Sequence, residues 1–202
     1  MFDFIAFDLE TTGLEPDKSQ IIEIAAIKFC GDKIIDKFVT LVDPRCHIPE
    51  EASRVNGITD EMVVGKPLLS EALKNFALFC QDTLMVAHNA AFDEKFVSHS
   101  VKKIRCAAPR GIVLDTLAIA RQAVPGLISY KLQSIAKHFN VQTETFHRAE
   151  ADAHYCGLVF IELIKVVAAG RSKLELKRLI NLSGGERRFP QIQPEPEQLG
   201  LL

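Results

Sequence analysis

Hydrophobic positions along the chain recur with two periods, and the switch between them divides the sequence into strands and helices. Phe2-Asp3-Phe4-Ile5-Ala6-Phe7 reads as a strand, rich in aromatic and β-branched residues, and Gly13 ends that segment. Ile21 to Cys30 is a second strand, with Ile22, Ile24 and Ala26 on one side and Glu23 and Ala25 on the other. Gly31-Asp32 is a tight-turn signal, and Lys33 to Val42 reads as the returning strand of a hairpin. The chain therefore opens as an antiparallel meander, which Pro44 ends.

Helical spacing then takes over. Pro49 to Val64 reads as short helical turns joined by Asn56-Gly57, and Leu69, Ala72, Leu73, Phe76, Ala77 and Cys80 recur as one helix face. Thr83 to Ala87 is a short apolar strand followed by a helix over Ala90 to Val101. Gly111 to Leu114 is another short strand, and Thr116 to Ala123 a helix. A helix is predicted over Lys131 to Phe139 with Ser129 as its cap, and a long one over Ala149 to Ala168.

The 202 residues divide on this reading into an α/β domain over 1–170, a basic helical or linker segment over 171–189, and a Pro-rich tail over 190–202. Leu174, Leu176 and Leu179 allow one short helix in the basic segment; beyond Ser183, Gly, Pro, Gln and Glu leave too little apolar content to fold alone. With 48% hydrophobic residues the chain buries a sizeable core, and its net charge of −2 does not by itself point to a nucleic-acid partner. The five cysteines are scattered and contain no C-x-x-C, which predicts reduced, mostly buried thiols in a cytoplasmic protein. Asp3, Asp8 and Glu10 interrupt any signal peptide, and the apolar stretch Leu158 to Ala169 is too short to span a bilayer, so no membrane partner is expected.

Candidate chemistry begins at Asp8-Leu9-Glu10, at the end of the first strand. Side chains alternate along a strand, so both acids point to one face and Leu9 to the other. Two such acids repel unless a cation sits between them, and hard oxygen ligands suit Mg²⁺ or Mn²⁺; two solvated acids at an exposed strand end are the alternative. Asp93 falls in the first turn of the helix that follows His88-Asn89, where a carboxylate also simply suits the helix dipole. His147 precedes the long helix and Asp152 lies within it; a solvated capping region is the alternative there. Gly65-Lys66-Pro67 lacks the rest of a phosphate loop, and His147, His154 and Cys156 lack zinc-site spacing.

Taken in order, Asp8-Leu9-Glu10-Thr11-Thr12-Gly13, the segment ending at Asp93, and His147 followed by Asp152 resemble the DnaQ-like exonucleases of the DEDD type, in the subclass that uses histidine. Asn56-Gly57-Ile58-Thr59-Asp60, His88-Asn89-Ala90-Ala91-Phe92-Asp93 and Asp115-Thr116-Leu117 are similar to the proofreading exonucleases of bacterial DNA polymerases, and the likeness covers about residues 3–165. The resemblance implies a ribonuclease H-like fold, a five-stranded mixed sheet flanked by helices, and release of 5′-mononucleotides from a 3′ end. It implies two Mg²⁺ or Mn²⁺ ions. Asp8 would bridge them, Glu10 and Asp152 would share one, Asp93 would act on the other, and His147 would be the general base. By the same resemblance Thr11 and Thr12 would approach the terminal nucleotide, Leu14 and Ile58 its base, and His88 and Asn89 would line the groove. Core packing is the alternative for Leu14 and Ile58, and a structural role for His88.

The final segment Gln198-Leu199-Gly200-Leu201-Leu202 is similar to the motif by which bacterial replication proteins bind the sliding clamp, with Leu202 departing from its usual Leu-Phe end. The expected partners are thus a single-stranded DNA 3′ end, a separate DNA polymerase catalytic subunit and, through Gln198, Leu199, Leu201 and Leu202, the clamp. A 3′→5′ ribonuclease and a non-catalytic nucleic-acid or clamp adaptor are the rival readings.

Overall fold

The computed structural model describes residues 3–142, 148–170 and 173–192. Five strands form one mixed sheet: β1 (Asp3–Thr11), β2 (Ile21–Cys30), β3 (Lys33–Leu41), β4 (Leu84–Ala87) and β5 (Val113–Asp115), in the order β3-β2-β1-β4-β5. The meander β1-β2-β3 is antiparallel, while β4 and β5 run parallel to β1. The expected ribonuclease H-like sheet is therefore present, with β1 at its centre.

β1 continues past Phe7 to Thr11 because its pairing with β2 continues, Asp8 opposite Ala25 and Glu10 opposite Glu23, until a bulge after Glu10. The acids thus lie inside the paired strand. Its alternation sorts side chains between two cores. Phe4 and Ala6 join the cluster under α7 (Ala149–Ala168), which also takes in α5 (Thr116–Ala123), α6 (Leu132–His138) and α8 (Leu176–Leu182). Ile5, Phe7 and Leu9 join the cluster under α3 (Leu69–Cys80) and α4 (Ala90–Ile104). A third, small cluster of Ile22, Ile48, Ile58 and Val63 packs around the short helices α1 (Glu50–Asn56) and α2 (Asp60–Val63).

Several details differ from the sequence reading. α4 runs on to Ile104, since Lys102 and Lys103 extend the backbone ladder without adding to the apolar face, and Arg105 ends it in a left-handed conformation (φ 51°). Lys131, not Ser129, occupies the N-cap of α6; the Ser129 hydroxyl instead accepts from the Lys131 amide at 3.3 Å. Cys80 and Cys156 are buried, but Cys30 and Cys46 are exposed and Cys106 is half-buried, so the thiols are not mostly buried.

The chain does not leave the domain at residue 170. Leu179 is fully buried in the α7 cluster, Phe189 packs edge-on to Phe7 at 6.1 Å, and the Ser183 hydroxyl receives the Asp115 amide at 2.7 Å. Arg187 bridges to Val113 and so borders β5. Charged residues dominate this segment's composition, but a few apolar ones carry its packing. The clamp-like residues Gln198 to Leu202 lie outside the described residues.

α7 lies unusually close to the sheet at Gly157. A Cβ built there would come 2.3 Å from the ring of Phe29, which stacks on Phe4 at 4.8 Å while Phe160 meets Phe4 edge-on at 4.9 Å. The ring is held by its neighbours and has nowhere to retreat. Gly157→Ala is therefore expected to destabilise the protein by about 1–3 kcal/mol, as overpacked cores do, against a helix-propensity gain of ~1 kcal/mol. A chemical denaturation curve measures this; equal or greater stability would show that helix and sheet part at little cost.

Candidate active site

The acids of β1 end its alternating row on the α7 side, beyond Phe4 and Ala6, where apolar cover gives way to the first turns of α7. Asp152 comes down from α7 to meet them. One carboxylate oxygen each of Asp8, Glu10 and Asp152 lie within 4.8 Å of one another, and all three side chains are half-buried. Asp93 comes from the opposite layer. β4 ends at Ala87, its pairing with β1 ends at Ala6 opposite Val86, and α4 starts at the mouth of that split. There the buried Asp93 carboxylate accepts from the backbone of Leu9 and from its own amide.

Burial and mutual repulsion hold Asp8, Glu10 and Asp93 toward their protonated forms. Burial raises the Asp8 pKa well above the usual carboxylate range, and Asp93, Glu10, Asp152 and Glu23 add to it in that order. Burial, then Asp152 and Glu23, push Glu10 up to about 7 against a hydrogen bond from Asn56 and the charge of Arg148. Burial likewise lifts Asp93 well above its ordinary value. Oxygen donors gathered at this spacing with surplus negative charge fit a divalent cation.

The site lies where two cavities adjoin. One, about 830 Å³, is lined by Asp8 and Asp152 together with His88, Asn89, Arg121, Ile128 and Lys131. The other, about 500 Å³, takes in Glu10, Thr11, Thr12, Leu14, Val55 and Phe92. Thr11 and Thr12 spend their hydroxyls on the turn: Thr11 donates to the Gly13 carbonyl at 2.6 Å, and Thr12 accepts from the Gln20 amide at 2.9 Å. Leu14 is 82% exposed at the lip of the second cavity, which sets aside core packing for it. Ile58 is fully buried in the small third cluster, so in this conformation it is core and offers no surface to a base.

His88 does line the larger cavity, but both ring nitrogens are engaged, Nδ1 with the Thr116 hydroxyl and Nε2 with the Tyr130 carbonyl, each at 3.0 Å. Burial lowers its pKa, consistent with a neutral ring that ties β4 to α5 and to the segment before α6. Asn89 is exposed beside it in a left-handed conformation, and its amide bonds the Asp115 carboxylate at 3.1 Å. Asp115 also accepts from Leu117 at 2.9 Å and so caps α5. His147 lies outside the described residues.

Three participants escaped the sequence reading. Asn56 is buried, hydrogen-bonds Glu10, and holds its own turn by accepting from the Ile58 amide at 3.0 Å. The available signal was the Asn56-Gly57 pair, which marks a turn and opens a segment similar to proofreading exonucleases but does not by itself assign Asn56 to Glu10. Buried Glu23 and half-exposed Arg148 form an ion pair against the start of α7, and no local pattern marks either residue.

Fold and site together define a protein of the ribonuclease H-like class whose carboxylates from β1 and α7 are spaced to take a divalent cation. Comparison with known proteins narrows the class. The pattern of the family described as Exonuclease (RNase_T) matches residues 5–160, and the chain belongs to that family. It is 40% identical over 163 residues to the DNA polymerase III subunit epsilon of Treponema pallidum (strain Nichols), covering 80% of this chain and 76% of that one. Against the same subunit of Aquifex aeolicus (strain VF5) the identity is 39% over 162 residues, covering 80% of each. The DNA polymerase III PolC-type of Caldanaerobacter subterraneus subsp. tengcongensis is 38% identical over 163 residues, 81% of this chain but 12% of that much longer protein. Among solved structures, exonuclease X in complex with 5′ overhanging duplex DNA superposes with a TM-score of 0.72 at 26% identity, covering 90% of this chain and 99% of that one.

The shifted acids give a pH dependence. Glu10 titrates at its ordinary 4.5 in the unfolded chain and at about 7 in the folded, cation-free one. Between those values the native state binds more protons, so cation-free stability falls as pH rises through the window. A bound divalent cation takes the place of those protons, so its stabilising effect grows over the same range. Thermal melts with and without Mn²⁺ should show a larger rise in Tm at about pH 8 than at about pH 5. An equal rise at both would mean that the ion binds away from these carboxylates.

Proposed function

We propose that this chain is a 3′→5′ exonuclease that releases 5′-mononucleotides from DNA ends in replication proofreading or repair. The observation that carries the reading is the meeting of Asp8, Glu10 and Asp152 within 4.8 Å, with buried Asp93 beside them, where the two cavities adjoin. The smaller cavity, with exposed Leu14, suits the terminal nucleoside. The larger carries Arg121 and Lys131, charges suited to the phosphates that follow. The kinship to DNA polymerase III epsilon subunits supports DNA over RNA as substrate, work on the chromosome in the cytoplasm, and a separate polymerase chain as partner. No described helix is long and apolar enough to cross a membrane.

Two Mg²⁺ or Mn²⁺ ions would be held by Asp8, Glu10 and Asp152, with Asp93 alongside, and would supply charge stabilisation for the attacking and leaving oxygens. The residues themselves do the rest. Asp8, central in the cluster, would serve both ions; Thr11 and Thr12, whose hydroxyls are tied into the turn, would offer backbone groups to the terminal nucleotide. His147 would take the proton of the attacking water, since an imidazole titrates near neutral pH.

Hydrolysis of 5′-labelled single-stranded DNA and RNA oligonucleotides with Mg²⁺ or Mn²⁺ tests this. DNA should shorten from its 3′ end, Asp8→Ala should abolish the ladder, and His147→Ala should slow it by about 10²–10⁴-fold. Shortening of RNA alone would assign the chain to RNA end processing, and no ladder on either substrate would favour the adaptor reading. An undiminished Asp8→Ala rate would remove the carboxylate assignment.

For the tail we propose a tether to the sliding clamp through Gln198, Leu199, Leu201 and Leu202, behind the Pro-rich spacer 190–196. Deleting residues 198–202 should abolish co-migration with the clamp in gel filtration while hydrolysis of free oligonucleotide continues. Co-migration that survives the deletion would refute the tether.

A further inference from the structure

Glu23 lies in the middle of the sheet, on β2 directly across from Glu10, and is 1% exposed. Both its carboxylate oxygens are engaged. Arg148 Nη2 donates to one at 2.6 Å; Arg148 Nε at 3.1 Å and the Ala149 amide at 3.0 Å donate to the other. Arg148 is the extended residue that precedes α7, and its own side chain makes no cap bond to the helix. The first amide of α7 is therefore capped from the sheet by a residue 126 positions away.

The arrangement is costly as pure packing. Like charges directly across strands repel, and Glu23 indeed contributes to the raised pKa of Glu10, which Arg148 partly offsets. Glu23 is buried while its partner Arg148 is half-exposed, and burying a carboxylate carries a desolvation cost that its ion pair often does no more than offset. What the pair does supply is register. The Asp152 amide bonds the Arg148 carbonyl at 3.0 Å, closing the first turn of α7, so whatever fixes Arg148 and Ala149 fixes Asp152. The cross-strand pair then divides the work: Glu10 offers its carboxylate to the cluster, and Glu23 holds the helix that brings the third carboxylate to it.

We propose that Glu23 is a positioning residue that, with Arg148, sets the placement of Asp152 against Asp8 and Glu10 and so sets the affinity of the site for divalent cations. This rests on the reading of that cluster as the metal site of an exonuclease. The effect expected is that of residues that orient metal ligands without touching the metal, a loss of about 10–100-fold in affinity.

The test is Mn²⁺ binding to the full chain, followed by the loss of free-ion signal in electron paramagnetic resonance, with melting of the cation-free protein alongside. Glu23→Gln keeps the volume and an acceptor for the Ala149 amide but removes the charge. Arg148→Lys, on the more exposed partner, keeps the charge but loses the two-pronged contact, and it carries the test if Glu23→Gln does not fold. Each variant should weaken Mn²⁺ binding by at least about 10-fold, and the double variant should lose little more than the worse single one, as for two groups acting through one contact. Wild-type Mn²⁺ affinity in a folded variant, with only a lower Tm, would overturn the proposal and leave Glu23 a stabilising residue. So would losses that multiply in the double variant. Asp8→Ala separates the two levels. If it too binds Mn²⁺ like the wild type, the cluster itself is not the metal site and both readings fall; if it loses binding while the folded Glu23 and Arg148 variants do not, only the positioning role falls.

Discussion

Mutual repulsion among Asp8, Glu10, Asp93 and Asp152 is the constraint around which this structure is arranged. Gathered at the end of a buried strand, Asp8, Glu10 and Asp93 are held toward protonation, with the charge of Asp152 adding to the repulsion on Asp8 and Glu10, and that cost exists in the absence of a cation. The elements that bring them together must therefore be anchored elsewhere. β1 is anchored on both faces by separate apolar clusters, with Phe4 and Ala6 in one and Ile5, Phe7 and Leu9 in the other. α7 is pressed onto the sheet through Gly157 and Phe29, and α4 is fixed by Phe96, Val97 and Val101. Hydrophobic burial away from the site makes electrostatic strain within it tolerable.

The same arrangement gives the site a direction. A parallel strand pair that splits past Ala6 and Val86 leaves backbone near Leu9 open, and Asp93 takes it. Ligands outside the carboxyl ends of parallel strands are the general outcome of such sheets, and here the ends of β1 and β4 make the mouth. On one side lies a pocket with Leu14 at its lip, on the other a cleft with Arg121 and Lys131. The chain belongs to the exonuclease family and is similar to DNA polymerase III epsilon subunits, which supports the proposed use of these two cavities for the end of a strand and the charged backbone behind it.

Around the acids, much of the polar machinery is structural. His88, Asp115 and Thr116 form a hydrogen-bonded knot between β4, α5 and Tyr130, and Asn56 braces Glu10 while holding its own turn. A residue inside a recognised motif is thus not always a group that meets substrate. Ile58 is the plainest instance, since it sits beside Asn56 and Gly57 and yet is fully buried.

The sequence by itself determined the strand and helix order, the meander, and the facing of Asp8 with Glu10, because side-chain periodicity and turn residues are local properties written in consecutive positions. Its family resemblance also singled out Asp93 and Asp152, through motif order alone. Tertiary structure alone decided how these residues meet: that β1 stays paired through Thr11, that α8 and Phe189 fold back onto the domain, and that Ile58 is core while Leu14 is exposed. It alone decided that Glu23, an ordinary acid in a strand, reaches Arg148 and the start of α7 across 125 residues. Local patterns say which face a side chain takes. Which distant charge occupies that face depends on how the chain returns to it, and no periodicity records that.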